Sequence, residues 1–251
     1  MTPLKSITSV TELLKTKLHK AHLFEVAVSV SINDISHAVM MVSPKHLKDF
    51  SLGFALSEGL INSVNEVLNI IVHSHECGWQ VDLQVLARSQ HRLKQRRRNM
   101  AGPSGCGLCG LDSIEAAMDL QLSSNIIPDK KANIPSEAPI VQAKEALPMI
   151  LQKEDIIRGN HSAVYFALSA KVIACREDVG RHSAFDKLLG CLCKKIKTIP
   201  DGFALITSRC SHDLIAKAAR LDLTALVTLA QPTDLAVMSA RKTGLALFCF
   251  Q

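Results

Sequence analysis

The chain has 251 residues, 47% hydrophobic but only 4% aromatic, and 29 Lys and Arg against 23 Asp and Glu give a formal charge of +6. That composition excludes a disordered or fibrous chain and suits one large or two modest domains with cores of Leu, Ile, Val, Ala and Met. No apolar run reaches the roughly 18 residues of a membrane helix, and no signal-peptide core follows Met1, so a cytoplasmic protein with no membrane partner is expected. The positive charge suits an anionic partner.

Residues 1–21 are polar and lysine-rich and predict a frayed arm or a short helix. Residues 24–32 alternate apolar and polar, as a half-exposed strand does, and 38–42 read as its antiparallel partner across a turn near Asn33 and Asp34. Pro44 opens a helix carrying Leu47, Phe50, Leu52, Phe54, Ala55 and Leu56, which stops at Glu58-Gly59. Residues 67–72 and 81–86 read as a second strand pair. An N-terminal mixed α+β domain over 1–101 follows.

Residues 102–139 read as a connector: a cysteine loop, a helix over 111–120, and a stretch punctuated by Pro128, Pro135 and Pro139. The C-terminal domain, 140–251, opens with a helix over 141–152 that contains Pro148, a potential kink. A hairpin over 161–168 and 171–175 comes next, then a helix over 183–197. The last third alternates strands at 203–207, 225–229 and 245–250 with helices at 213–221 and 235–241. Continuous apolar strands alternating with helices predict an α/β fold with a parallel sheet and right-handed crossovers. Ligands in such sheets bind beyond the carboxyl ends of the strands, here Ser208-Arg209-Cys210-Ser211 and Gln231-Pro232-Thr233-Asp234.

The stretch Gly105-Cys106-Gly107-Leu108-Cys109-Gly110 flanks two thiols with glycines, which leaves backbone and sulfur open to a visitor. Cys109 stands near the start of the 111–120 helix, and the cationic run Arg92 to Arg98 lies just upstream; both favour a thiolate. A structural zinc site needs four ligands, and Cys191-Leu192-Cys193, the other close pair, falls on a helix where neighbours point apart. A thioredoxin-like pair starts a helix after a strand, whereas the run before Cys106 is basic and glycine-rich. Deaminase chemistry needs His-x-Glu, and none of the ten histidines is followed two residues later by Glu. The pattern fits a sulfur-handling or redox-sensing loop. Most of the other cysteines read as small core residues, Cys175 and Cys249 above all.

The second constellation, Arg176-Glu177-Asp178-Val179-Gly180-Arg181-His182-Ser183-Ala184-Phe185-Asp186-Lys187, links a strand to a helix. It reads either as a solvated helix start capped by Asp178, or as the polar wall of a cleft in which Arg181 and His182 hold an anion and Gly180 lets backbone approach. Arg209 is a similar anion candidate. His161 taken alone reads as a structural histidine.

These two runs together resemble the formate dehydrogenase accessory sulfurtransferase family (FdhD type). So do Leu52-Gly53-Phe54-Ala55-Leu56-Ser57-Glu58-Gly59-Leu60-Ile61 and Pro232-Thr233-Asp234-Leu235-Ala236-Val237, and the match runs from residue 39 to the C-terminus. The resemblance implies a cytoplasmic homodimer whose C-terminal three-layer α/β/α domain resembles the cytidine-deaminase-like fold. It implies a sulfurtransferase that takes sulfur from a cysteine desulfurase as a persulfide. The sulfur then passes to a bound bis-molybdopterin guanine dinucleotide cofactor, and formate dehydrogenase is activated. Cys106 then carries the persulfide and Cys109 assists or resolves it. Asp178, Gly180, Arg181, His182 and Arg209 line the cofactor site, for which a guanine nucleotide is the expected mimic. No resident metal and no nucleic-acid partner is implied. The alternatives are a non-enzymatic molybdenum-cofactor chaperone, or a zinc or redox module built on the two cysteines. Thr207-Ser208-Arg209 stands where the family shows Ser-Gly-Arg, Gln231 where alanine is common, and the family's basic and aromatic tail has no counterpart beyond Gln251.

Overall fold

The computed structural model describes residues 23–90, 93, 133–195 and 199–250. The expected N-terminal arm, the cationic run, the cysteine loop with Cys106 and Cys109, and the 111–120 helix lie outside the described residues.

Two strands, β1 (Val26–Ile32) and β2 (Ile35–Val42), form an antiparallel hairpin. Asn33 and Asp34 both take positive φ, 47° and 64°, the pair that a two-residue hairpin turn matched to strand twist requires. The Asn33 side chain ties the turn to a neighbouring strand by accepting from Val85 N at 2.7 Å and donating to Val85 O at 3.2 Å. The second pair is β3 (Val67–His75) and β4 (Gly78–Val85), and β4 runs parallel to β1, giving the order β2-β1-β4-β3.

Helix α1 (Leu47–Ser57) connects the two hairpins and is buried along nearly its whole length. Its run of apolar residues on all sides is the signature of a helix covered on every face. One side packs on the first sheet, with Phe50, Leu52 and Phe54 among Val28, Val30, Val81 and Leu83. The other meets α3 (Arg181–Lys195).

The second sheet contains β5 (His161–Ala167), β6 (Val172–Asp178), β7 (Gly202–Ile206), β8 (Ala225–Thr228) and β9 (Ala246–Cys249), in the order β6-β5-β7-β8-β9. The expected parallel arrangement holds for β7, β8 and β9, whereas β5 is antiparallel to both β6 and β7, so hairpin and parallel strands merge into one mixed sheet. Alternation along β5 decides the layering. Ala163 and Tyr165 face a core with α3, α4 (His212–Arg220) and α5 (Asp234–Thr243), while Val164 and Phe166 face α2 (Glu137–Lys153). Pro148 sits inside α2, which continues past it to Lys153. Among the described residues no helix is long and apolar enough to cross a membrane.

Where α1 crosses α3, Gly53 faces Gly190. A methyl on Gly53 would overlap the carbonyl of Asp186, and one on Gly190 that of Asp49. Both obstacles are backbone, so no rotamer change relieves them. Gly190→Ala is expected to destabilise the protein by about 1–3 kcal/mol through forced separation of the helices. Chemical denaturation reads this directly, and a loss below a few tenths of a kcal/mol would show that the crossing is looser than described.

Candidate functional site

Because β6 and β7 are both antiparallel to β5, and β8 and β9 are parallel to β7, the carboxyl ends of four strands share one edge with the first residue of β5. Helices α3, α4 and α5 all begin at that edge, at Arg181, His212 and Asp234. Their free N–H groups and positive dipole ends give it the character of an anion-receiving crevice. The loops that follow β7 and β8 are held rigidly: Thr228 Oγ1 donates to Ser208 O at 2.7 Å, and Thr233 N donates to Cys210 O at 3.0 Å.

Of the residues expected at the site, Asp178 is fully buried. One carboxylate oxygen accepts from Ser43 N at 3.0 Å and lies 2.6 Å from Lys187 Nζ, and the other accepts from Gly180 N at 2.9 Å. Lys187 Nζ also donates to Ser43 O at 2.9 Å. Burial pushes the Lys187 pKa below 10.5, although Asp178 opposes it. Asp178 therefore braces the turn into α3 and the loop after β2. Gly180 takes an ordinary negative φ, and a methyl there would stand 3.3 Å from Ser183 Oγ, so close packing rather than backbone freedom marks the position. Helix α3 starts at Arg181, two residues before the expected Ser183.

Arg181 and His182 form the first turn of α3. The Nε of Arg181 is buried without a hydrogen-bond partner among the described residues. His182 Nε2 lies 3.4 Å from an Asp213 carboxylate oxygen, and Ser211 Oγ donates to the same oxygen at 3.4 Å. Burial raises the Asp213 pKa, but the His182 hydrogen bond and charge, with smaller help from His212 and Ser211, leave it below 3.8. The imidazole of His161 is adjacent. Burial first, then Arg181 and His182, lower its pKa below 6.5, with Asp178 pulling the other way. The fold thus gathers His161, Arg181 and His182 at one point of the crevice, with the partly buried Asp213 as the nearby counter-charge. Ser211 was expected at this edge as part of the loop after β7, whereas Asp213 escaped the sequence reading; a Ser-x-Asp at a helix start was the available signal.

Arg209 is exposed on the loop after β7 and makes no ion pair with a described residue. The departure at Ser208 leaves little in the crevice, because its side chain is buried and donates to Arg209 O at 3.0 Å. Gln231 is exposed, its Oε1 lying 3.9 Å from the Cys249 sulfur. Cys249 is half-buried at the end of β9, more open than a core cysteine. Cys175 and Cys210 are buried, and burial raises both thiols to about 12. On α3, Cys191 belongs to the core under the second sheet and Cys193 packs against that of the first, so the two do point apart. Among the described residues no group of three or more His, Cys, Asp or Glu could hold a metal ion.

The comparisons with known proteins extend over the same elements. Residues 23–251 match the FdhD/NarQ family. A sulfur carrier protein FdhD from Cupriavidus necator is 37% identical over 227 residues, covering 90% of this chain and 77% of its own length. One from Acinetobacter baylyi is 34% identical and covers 95% of this chain and 89% of itself. A crystal structure from Desulfotalea psychrophila, of a protein assigned as a formate dehydrogenase accessory protein, superposes with a TM-score of 0.61 at 19% identity. It covers 90% of this chain and 81% of its own and so shares the fold. A match from the first strand through the last, together with relatives above 30% identity, leads to one conclusion: the chain belongs to the FdhD/NarQ family.

Proposed function

We propose that the chain is a sulfur carrier for formate dehydrogenase, taking sulfur as a persulfide from a cysteine desulfurase and delivering it to a molybdenum cofactor bound in the crevice. The observation that supports the acceptor half is the buried, unpartnered Nε of Arg181, beside His161 and His182 and among three helix N-termini. An unpaired guanidinium N–H in such a place is matched by an anionic oxygen. Phosphates of a bis-molybdopterin guanine dinucleotide supply such oxygens, and Arg181, His182 and the exposed Arg209 are the groups that would hold them. Asp178 and Gly180 serve by fixing where α3 begins. The donor half rests on the glycine-flanked thiols and on the names that the relatives carry.

In the acceptance step the Cys106 thiolate attacks the outer sulfur of the desulfurase persulfide. A new S–S bond forms on Cys106, the old one breaks, and the desulfurase thiolate leaves with the bonding pair. For release, the Cys109 thiolate attacks Cys106 Sγ, a Cys106–Cys109 disulfide forms, and the outer sulfur leaves with the bonding pair at the sulfide level. When bound, the cofactor would supply the metal centre for the sulfur. Arg181 and His182 would orient its phosphates, with the Asp213 carboxylate holding the His182 ring. The reading includes a cytoplasmic homodimer and, from the α/β/α layering of the second sheet, a cytidine-deaminase-like C-terminal domain.

The test is mass spectrometry of the protein after incubation with a cysteine desulfurase and cysteine. A one-sulfur mass increase on the peptide carrying Cys106, absent in Cys106→Ala, is the expected result. If no cysteine gains sulfur and Cys106→Ala still activates formate dehydrogenase, the chain is a cofactor chaperone instead. Stoichiometric zinc lost on Cys106→Ser would equally overturn the sulfur reading.

A further inference from the structure

The loop between β2 and α1 has the Asp178 brace on one side, where Ser43 is held. Beside the same loop lies a cavity of about 470 Å³, walled by Trp79 and Val72 of the first sheet and by Pro44 and Leu47. That volume falls in the range of small-molecule pockets. Its rim carries Lys48, Arg176, Lys194 and His46. The one lining carboxylate, Asp49, is already engaged. Arg176 donates to it from Nε at 2.9 Å and from Nη2 at 2.7 Å, and Lys194 lies 3.8 Å from its other oxygen. Lys48 makes no ion pair with a described residue, and the Lys194 side chain is 52% exposed. Three permanent cations against one carboxylate leave a positive surplus of two. His46 sits in the left-handed region, φ 59° and ψ 38°, which is uncommon outside glycine. The cavity thus combines an aromatic wall, a surplus matching a dianion, and two ammonium groups with donors to spare.

We propose that this cavity is a second ligand site that takes a small phosphate ester carrying a flat ring. Lys48 and Lys194 take the phosphate as point charges. The ring lies against Trp79, which adds offset stacking to apolar burial. Arg176, with four of its five N–H donors committed to Asp49, the Cys175 carbonyl and the Cys191 sulfur, contributes mainly field rather than hydrogen bonds. The proposal does not depend on the sulfur-transfer reading, because none of these residues belongs to the crevice.

Trp79 is the only tryptophan of the chain, so its emission reports on this cavity. The full-length protein is titrated at low salt with phenyl phosphate and with inorganic phosphate. Both are expected to change the Trp79 emission saturably, phenyl phosphate binding roughly 3- to 10-fold more tightly. Lys48→Glu/Lys194→Glu, checked for fold by circular dichroism, is expected to weaken phenyl phosphate by tenfold or more, on the order expected when attraction becomes repulsion. Arg181→Ala is expected to leave this binding unchanged. A linear, non-saturating response overturns the proposal, as does affinity that survives the charge reversal. Loss of the signal in Arg181→Ala, with the charge-reversed protein unaffected, would move the ligand to the crevice and overturn it too.

Discussion

Lys217→Ala is expected to lower the unfolding free energy by about 3–5 kcal/mol, the scale for removing one partner of a buried ion pair. Lys217 is 5% exposed, and its ammonium donates to both oxygens of Asp186 at 3.0 Å, to Glu58 at 2.7 Å and to Ser57 Oγ at 2.9 Å. Ser57 Oγ in turn donates to Asp186 at 2.7 Å. The cluster ties α1 to both α3 and α4. Without the ammonium, Asp186, 1% exposed, is a buried carboxylate with one hydroxyl donor. In Asp186→Asn/Lys217→Met no buried charge remains between these helices and Glu58 can turn to solvent, so most of the loss should return. Failure of the double substitution to recover stability would show that packing, not charge, sets the cost. The pH dependence has a definite sign. Burial lowers the Lys217 pKa, but Asp186 and Glu58 outweigh it and hold it above 10.5. This contribution is fully present below 10.5 and is lost as pH rises through the folded value, so the alkaline limb of the stability profile should be steeper in the native protein than in Lys217→Met.

The elements themselves were legible in the sequence. Period-two alternation marked β1 and β2, Asn33-Asp34 marked their turn, and Gly59, at φ 66°, marked the end of α1. The sheet edge was legible too, since apolar strands alternating with helices place β7, β8 and β9 side by side. What could not be read was how the Arg176 to Lys187 run divides its labour. Only its Arg181 and His182 turn to the crevice. Arg176 pairs with Asp49, Asp178 with Ser43, and Asp186 with Ser57, at separations of 127, 135 and 129 residues. Local propensity and hydrophobic period carry no information about partners so distant. A dense polar run therefore looks the same whether it faces a ligand or another part of the chain. The antiparallel placement of β5 against β7 was hidden for the same reason, and with it the arrival of His161 beside Arg181.

Asp178→Ala is expected to cost a similar amount, about 3–5 kcal/mol, because it leaves an ammonium rather than a carboxylate stranded. Lys187 is fully buried, and with Asp178 gone its remaining hydrogen-bond partner among the described residues is the carbonyl of Ser43. Two backbone donors, Ser43 N and Gly180 N, lose their acceptor in the same step. The deficit should depend on pH in the direction opposite to that of Lys217. Burial already lowers the Lys187 pKa below 10.5 against the pull of Asp178, and removing Asp178 lowers it further. Between that depressed folded value and the unfolded value near 10.5 the unfolded chain binds more protons, so the variant gains stability as pH rises. The difference from the native protein is therefore largest near neutrality and narrows toward pH 10.5. Denaturation at several pH values reads it, with Asp178→Asn/Lys187→Met as the control in which neither the deficit nor its pH dependence should survive. A deficit that stays constant across this range would mean that Lys187 remains charged through contacts other than Asp178. The turn into α3, and with it the placement of Arg181 and His182, would then rest on something other than this buried pair.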